Sequence, residues 1–281
     1  MSPLLPGRRS IYKTPAQLRA MIEPGLITAA ALDAARALIA PGVTTLELDA
    51  AASEVIVARG AISNFQMVRG YRHTVCTSVN EQVVHGIPSG RVLEPGDIVS
   101  VDAGAELRGW NGDSAFTFVV PDDTRPELVA EREELSRVTE GSLWAGIAAL
   151  ATASHLGEVG AAIQDHIDAS GHGYGILREY VGHGIGRKMH ESPSVFNYRT
   201  PDRGAEVRPG LAVAIEPMVV IGDQATFVED DDWTVSTLDG TAGSHWEHSV
   251  AVHDDGIWVL TAPDGGAAGL APFGITPREI G

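Results

Sequence analysis

The amino-acid sequence predicts an α+β fold. Helical stretches open with clear N-terminal caps, and between and after them lie short runs rich in β-branched residues and bounded by glycine, proline or aspartate. An internal echo is the third observation, because residues 93–102 align without a gap with residues 207–216. Both segments are predicted to be turn, strand and carboxylate, which suits two similar half-domains that meet across a cleft. Coincidence is the alternative explanation of the echo.

Four helices are predicted. A capping box at Thr14, followed directly by proline, predicts a helix to about residue 39, and Pro24-Gly25 predicts a kink or an interruption inside it. A second capping box at Thr44 predicts a helix to about residue 59. Two further helical stretches are predicted near residues 125–150 and 155–169. The predicted strands are residues 98–101, 116–120, 211–215, 249–253 and 258–261.

Composition and charge exclude several classes of protein. The 281 residues are 44% hydrophobic, enough for a substantial core in one large domain or two small ones. Lys and Arg total 20 against 37 for Asp and Glu, and the net charge of −17 repels nucleic acid and anionic lipid. No stretch approaches the roughly 18 apolar residues of a membrane span. The one cysteine, Cys76, cannot form an internal disulfide, which agrees with a reducing compartment. From the charge and the lack of a membrane span, we expect a cytoplasmic protein that does not bind nucleic acid directly.

Two aspartates are predicted to lie near each other on a hairpin. Asp102 ends one strand-like run, and Asp113 follows beyond a turn signal at Arg108-Gly109. With the turn there, Asp113 faces Gly104, and Asp102 lies diagonally across on the same face, about 7 Å away. Two buried carboxylates repel each other and lose hydration, so they require positive charge such as a divalent metal. Two exposed turn acids are the alternative.

The second half of the chain adds three candidate ligands. Glu216 takes the place of Asp102 in the echo, and Glu247 leads into its strand as Asp113 leads into its own. A glutamate that ends a buried apolar run favours a ligand role over a surface role. His183 lies among glycines that leave the imidazole uncovered, although a structural histidine is the alternative. These glycines lack the spacing of a nucleotide-binding loop.

Four carboxylates and one imidazole form an oxygen-rich ligand set, which favours Mn, Fe(II), Co or Zn. Their number exceeds what one ion needs. Two ions about 3.5–4 Å apart, bridged by Asp113 and Glu247, would hold a water between them as hydroxide and polarise a carbonyl for attack. The ligand set therefore predicts a hydrolase.

Seven short motifs form the most specific pattern in the sequence. They are Cys76-Thr-Ser-Val-Asn-Glu-Gln-Val-Val-His-Gly-Ile-Pro88, Val101-Asp-Ala-Gly, Asn111-Gly-Asp113, Gly182-His-Gly-Ile-Gly, His190-Glu-Ser-Pro193, Ile215-Glu-Pro-Met218 and Trp246-Glu-His248. Each alone would be weak, whereas jointly they make a specific match. With these motifs the sequence resembles, over about residues 11–262, the type I methionine aminopeptidases of the pita-bread metallopeptidase family.

The resemblance implies a pita-bread fold, with two pseudo-symmetric α/β halves around a central curved antiparallel sheet. It implies removal of the initiator methionine from nascent proteins and peptides with a small second residue. Two divalent metals are implied, one bound by Asp102 and the other by His183 and Glu216. Asp113 and Glu247 are implied to bridge the two metals.

Two further histidines acquire roles from the resemblance. His85 and His190 are implied to lie at the substrate amide and at the oxyanion of the tetrahedral intermediate, where a hydrogen-bond donor lowers the barrier. Without the flanking motifs, either would be interpreted as a surface or core histidine. Glu216 is implied to assist proton transfer as well as to bind metal.

The resemblance also implies an apolar pocket for the methionine side chain. Phe65 stands where cysteine is common, Val68 where tyrosine is common and Met189 where phenylalanine is common, which changes the shape of the pocket. Ordinary core packing is the alternative for each. Cys76 is expected to be a pocket wall and not a nucleophile. The matching positions are Phe65, Val68, Tyr71, Cys76, Met189 and Trp233, beside His85 and His190.

The predicted organisation is an N-terminal extension, one catalytic domain and a tail. The extension covers residues 1–10 and contains a PxxP pattern at residues 3–6, and the tail covers residues 263–281 and is expected to pack as irregular coil or to be mobile. The domain covers residues 11–262, with half-domains at about 11–122 and 123–262. The acidic run at residues 229–232 is expected to be a solvated loop.

We expect a monomer that acts on peptide or nascent-chain N-termini, with transient ribosome association. An Xaa-Pro aminopeptidase would share the five ligands but usually carries an additional N-terminal domain, for which this chain has no room. A binding protein that kept the fold and lost catalysis should have lost a ligand. All five ligand positions are filled here.

Overall fold

The computed structural model describes residues 10–281, so the PxxP pattern and most of the predicted extension lie outside the described residues. Of the helices in this part of the chain, none is long and apolar enough to cross a membrane. Their bounds are α1 Pro15–Leu38, α2 Thr45–Ala58, α3 Pro126–Leu150, α4 Leu156–Ala169 and α5 Ala267–Leu270.

The predicted caps form, and one predicted break does not. The side chain of Thr14 accepts a hydrogen bond from the Gln17 N–H, and Gln17 accepts one from the Thr14 N–H, which confirms the capping box. Pro24 lies inside α1, and the helix continues through it, so the predicted interruption is wrong. The helix is supported there by close packing, because Gly25 is buried against the backbone at Leu260.

The strands of the described chain extend the predicted ones and add several short segments. The prediction that Asp102 ends its strand is wrong, because the hairpin stays paired as far as Leu107 and Trp110. The bounds are β1 Ile62–Ser63, β2 Val75–Val79, β3 Gln82–Val84, β4 Ile98–Leu107, β5 Trp110–Val119, β6 Gly175–Ile176, β7 Gly182–Gly184, β8 Glu191–Val195, β9 Ala212–Ile215, β10 Met218–Val220, β11 Thr226–Val228, β12 Val235–Thr237, β13 Gly243–His245, β14 Glu247–His253 and β15 Gly256–Val259.

A nine-stranded antiparallel sheet organises the molecule. Its main path runs β1-β4-β5-β14-β9-β7-β8, with β2 paired to β4 and β15 paired to β14. Two three-stranded sheets, β13-β10-β6 and β11-β12-β3, complete the β structure of the described residues. The main core contains side chains from α1 to α4 together with strand side chains, among them Ile27, Leu48, Leu135, Val159, Val101 and Val213.

The echoed segments have the same local structure. Gly96 and Gly210 both have positive φ, of 83° and 98°, which glycine adopts without strain. The Gly96 N–H donates to the Val120 carbonyl at 2.9 Å, and the Gly210 N–H donates to the Val252 carbonyl at 2.8 Å. Each turn therefore ties the start of one strand, β4 or β9, to the end of its partner strand. The division into half-domains stays a prediction.

The C-terminal tail packs against the domain. The Arg278 N–H donates to the Ile257 carbonyl at 3.0 Å, and the ring of His253 contacts the Arg278 carbonyl at 2.8 Å. Leu270 and Ile280 are buried. The structure therefore supports a packed tail, but the expected irregular coil is wrong in part, because α5 lies within the tail.

Candidate metal centre and substrate cavity

Strand register brings two of the predicted ligands into one row across the sheet. Cys76 of β2 pairs with Asp102 of β4, Asp102 pairs with Ala115 of β5, and Ala115 pairs with Glu247 of β14. Directly paired residues in an antiparallel sheet share a face. Asp102 and Glu247 therefore lie on the same face, on either side of the small side chain of Ala115.

The same register accounts for the other ligands. Asp113 pairs with Gly104, as predicted, and lies two residues from Ala115, so it shares the face. His183 pairs with Ala214, which itself pairs with Ser249, two residues from Glu247. Glu216 follows β9 two residues beyond Ala214. Alternation along the strands thus directs all five side chains to one face of the sheet.

The internal echo predicts the position of Glu247 relative to Asp113 only approximately. Val99 pairs with Phe118, and the equivalent residue Val213 pairs with Val250. In that register Glu247 occupies the position of Ala115, not the position of Asp113. The predicted equivalence of Asp113 and Glu247 is therefore wrong by two residues, although both residues lie on the same face.

The ligand atoms of the cluster lie close together. One ligand atom each from Asp113, His183 and Glu247 lies within 4.8 Å of the others. His183 Nε2 is 3.4 Å from Glu216 Oε1 and 4.0 Å from Asp113 Oδ2. All five side chains are buried, with Asp113 only 3% and Glu247 only 2% exposed. The negative charges of buried carboxylates this close together must be neutralised, either by bound cations or by protons.

Protons compensate the charge when no cation is bound. Burial raises the pKa of Asp102 to about 8, and burial followed by repulsion from Asp102 raises the pKa of Asp113 and Glu216 well above the usual range. The pKa of Glu247 is raised likewise, by burial and then by Asp113. Burial lowers the pKa of His183 to about 4, so its imidazole is neutral at neutral pH.

The donor set fits divalent cations. Asp102 Oδ1, Asp113 Oδ1 and Glu247 Oε1 are buried and have no hydrogen-bond partner among the described residues. A buried carboxylate oxygen without a donor is costly unless a cation takes its lone pairs. His183 Nδ1 lies 3.0 Å from the Gly184 carbonyl, which assigns the proton to Nδ1 and leaves Nε2 as an acceptor toward the cluster.

The cluster lines a cavity of about 140 Å³, hereafter the substrate cavity. Its apolar wall is built around Tyr71, whose ring centroid lies 5.0 Å from that of Trp233 and 6.3 Å from that of Phe65. The Tyr71 hydroxyl donates to the Val75 carbonyl at 2.7 Å, which fixes the ring. Burial raises the pKa of the Cys76 thiol, which disfavours a nucleophilic thiolate.

The structure brings every predicted site residue to this cavity. Beyond the five candidate ligands, these are Phe65, Val68, Tyr71, Cys76, His85, Met189, His190 and Trp233. Their individual roles stay predictions.

Two histidines complete the polar wall. The rings of His190 and His183 lie 4.3 Å apart between centroids, and burial lowers the pKa of His190. His85 has a positive φ of 62°, a costly conformation for a residue other than glycine. Its neighbour Gly86 is hydrogen-bonded to β2, through the Thr77 N–H at 2.8 Å and the Ser78 hydroxyl at 3.0 Å. Backbone strain beside a cavity is typical of functional positions.

Sequence reasoning missed His245. Its ring is 1% exposed, and Nε2 lies 3.8 Å from Glu216 Oε2 without a hydrogen-bond partner in residues 10–281. The Ser100 and Thr117 hydroxyls accept hydrogen bonds from its backbone N–H at 3.2 and 3.0 Å. The available signal was its position two residues before Glu247, but a break between β13 and β14 hides this alternation.

Comparison with known proteins agrees with this geometry. The family model of metallopeptidase family M24 matches residues 19–254. The chain is 46% identical to methionine aminopeptidase 1 of Mycobacterium tuberculosis, with 93% of this chain and 99% of the relative covered. It is 40% identical to methionine aminopeptidase 1 of Bacillus subtilis, with 89% and 98% covered.

Solved structures give the same result. A methionine aminopeptidase of Thermotoga maritima superposes with a TM-score of 0.83 at 38% identity, with 89% of this chain and 98% of that chain covered. A prolidase of Pyrococcus furiosus, at 21% identity and a TM-score of 0.68, shares the fold over 90% of this chain and 65% of its own. The chain belongs to metallopeptidase family M24, and its curved antiparallel sheet with flanking helices is the pita-bread fold.

Proposed function

We propose that the protein is a metal-dependent aminopeptidase that removes an N-terminal methionine from polypeptides with a small second residue. The main observation is that a buried cluster of carboxylates and an imidazole lines a cavity that also has an apolar wall. Three of the carboxylate oxygens have no hydrogen-bond partner among the described residues. An apolar wall beside a few polar groups suits the side chain of methionine. The names of relatives at 40–46% identity over most of the chain support the substrate class.

Two divalent cations would be held by the cluster, with Mn, Fe(II), Co and Zn as candidates. We assign Asp102 to one ion, His183 and Glu216 to the other, and Asp113 and Glu247 to both. When bound, these ions would supply Lewis acidity and a nucleophilic water at neutral pH.

The remaining residues bind and orient the substrate. Tyr71, Trp233 and their apolar neighbours exclude water from the methionine side chain. His85 and His190 donate hydrogen bonds to the substrate amide and to the developing oxyanion. Burial lowers the pKa of His85 to about 4, so it donates as a neutral imidazole. The Glu216 carboxylate accepts a proton from the attacking water and returns it to the leaving amine.

An Xaa-Pro aminopeptidase is the nearest alternative. The prolidase and Xaa-Pro structures that share the fold are only 19–24% identical to this chain, so they carry no argument about its substrate. A peptide comparison distinguishes the two functions because each enzyme class requires a different residue beside the scissile bond.

The test begins with chelated protein to which Mn, Fe(II), Co or Zn is added back. Release of free methionine from Met-Ala-Ser is measured beside cleavage of an Xaa-Pro peptide. We expect metal-dependent release from Met-Ala-Ser only. Cleavage confined to the Xaa-Pro peptide would assign the alternative, and inactivity toward both with every metal would overturn the proposal.

We also propose that the protein acts as a cytoplasmic monomer on nascent chains and associates with ribosomes transiently. The net charge of −17 disfavours direct contact with ribosomal RNA, so the association would depend on the emerging polypeptide. Size-exclusion chromatography with light scattering tests the monomer. Co-sedimentation with translating and empty ribosomes tests the association, and equal binding to both would contradict this proposal.

A further inference from the structure

A groove of about 940 Å³ lies beside the substrate cavity and is lined by none of the five candidate metal ligands. It is lined by the residues that lead into α1, by Trp110 at the start of β5, and by residues 187, 188 and 190–192 between and within β7 and β8. His190 is the one described residue that lines both the groove and the substrate cavity. The groove and the substrate cavity therefore adjoin at His190.

The groove is cationic, whereas the whole chain carries a net charge of −17. Lys13, Arg187 and Lys188 contribute three positive charges to its lining, against one negative charge from Glu191. Both oxygens of the Glu191 carboxylate already have partners within the protein. Its Oε2 lies 3.2 Å from Lys13 Nζ, and its Oε1 accepts a hydrogen bond from the Lys188 N–H at 3.0 Å. The side chains of Arg187 and Lys188 remain exposed to a ligand. We call this feature the cationic groove.

Several contacts connect the wall of the cationic groove to neighbouring strands. The Arg187 guanidinium lies 4.0 Å from the centroid of the Trp110 ring and donates to the Gly109 carbonyl at 3.2 Å. The Gly186 carbonyl accepts from both the backbone and the side-chain N–H groups of Asn111 at 3.0 Å. The loop that carries the two exposed cations is thus fixed to the strand that carries Asp113.

We infer that the cationic groove binds the residues of the substrate that follow its second residue, and that it favours acidic side chains there. This inference rests on the proposed function, since it needs a peptide whose first residue lies in the substrate cavity. The volume lies at the upper end of ligand-binding pockets, which gives room for several residues. Acidic side chains would approach Arg187 and Lys188, while a basic segment would be repelled.

The test compares hydrolysis of Met-Ala-Ser-Glu-Glu-Gly and Met-Ala-Ser-Lys-Lys-Gly at low salt. We expect kcat/KM for the acidic peptide to be roughly 3- to 10-fold higher, mainly through KM, because each exposed charge pair contributes about a factor of 2 to 5. High salt should reduce the ratio toward one. Lys188→Glu should reverse or abolish the preference, and Lys188→Gln should reduce it.

Arg59→Glu is the matched control, because Arg59 is exposed at the end of α2 and lines neither cavity. It changes the net charge equally and should leave the acidic-to-basic ratio unchanged. Equal rates for both peptides, or an equal effect of Lys188→Glu and Arg59→Glu, would overturn the inference. If methionine is released from Met-Ala-Ser but the acidic and basic peptides are cleaved equally, only the inference about the cationic groove is contradicted. If no peptide is cleaved, the proposed function is contradicted too.

Discussion

The Nε2 atom of His245 lies 3.8 Å from Oε2 of Glu216, while the other oxygen of the same carboxylate lies 3.4 Å from Nε2 of His183. Glu216 therefore lies between two imidazoles on different strands. Burial lowers the pKa of His245 to about 3, so this ring is neutral and can donate one hydrogen bond. A small movement would bring the donor within bonding distance of the carboxylate and fix the oxygen that faces the cluster.

We predict that His245→Ala weakens the binding of divalent metal by roughly 10- to 100-fold, because the orientation of Glu216 is lost. His245→Gln retains a donor of similar reach and should keep most of the affinity. Calorimetric titration of chelated protein measures both variants. Equal affinities for wild type and His245→Ala would contradict a positioning role, provided that circular dichroism shows the same fold.

We predict that the metal-free protein loses stability as pH rises from 6.5 to 8. Carboxyl groups with raised pKa hold protons in the folded state that the unfolded chain has released above about pH 4.5. Each carboxyl that stays protonated costs about 1.4 kcal/mol of unfolding free energy per pH unit. Buried neutral histidines such as His183 have the opposite effect, but only below their unfolded pKa of about 6.5.

Thermal unfolding of chelated protein between pH 6.5 and 8 measures this slope. Added metal should raise the midpoint more at pH 8 than at pH 6.5, because it replaces protons on the same oxygens. A metal-free stability that rises with pH across this window would show that the carboxylates are not protonated together.

We predict that Glu247→Gln lowers kcat by roughly 100-fold or more while the metal-free protein keeps its stability at pH 8. The amide resembles the protonated carboxyl group in shape and cannot replace its negative charge toward a cation. Methionine release and thermal unfolding are measured on the same preparation. Unfolding of the metal-free variant would indicate a structural role, and unchanged kcat would remove Glu247 from the site.

We predict that His85→Asn lowers kcat by about 100- to 1,000-fold with little change in the thermal midpoint. Asparagine tolerates the positive φ of this position, so the loss reports the imidazole donor and not the backbone. His172→Asn is the control, because His172 is exposed and does not line the substrate cavity. Equal kcat values for the two variants would contradict the assigned role of His85.

Local signals in the sequence predict a large part of this structure. The capping boxes fix where α1 and α2 begin, and the Arg108-Gly109 turn fixes the hairpin register in which Asp113 faces Gly104. Register has a period of two residues, so one correct turn determines the face of every side chain on both strands. The resemblance, through its motifs and its matching pocket positions, then supplied the residues that line the substrate cavity.

Tertiary contacts explain what the sequence did not predict. The helix α1 continues through Pro24, and the next residue, Gly25, packs against the backbone of Leu260, a contact that the sequence does not reveal. The register of β14 depends on its pairing with β5 and β9, which no local signal near Glu247 encodes. His245 was not predicted because the break between β13 and β14 hides its alternation with Glu247, and its approach to Glu216 depends on the fold.

The glycine at 112 links the first helix to the site in a way that the order of elements does not suggest. A Cβ atom on Gly112 would lie 2.6 Å from the Cα atom of Gly25, so no side chain separates α1 from β5 there. The next residue along β5 is Asp113. Helix and strand are therefore in direct backbone contact one residue before that carboxylate, and a side chain at Gly112 would force them apart. The N-terminal helix thus bounds the backbone of a site to which it contributes no ligand.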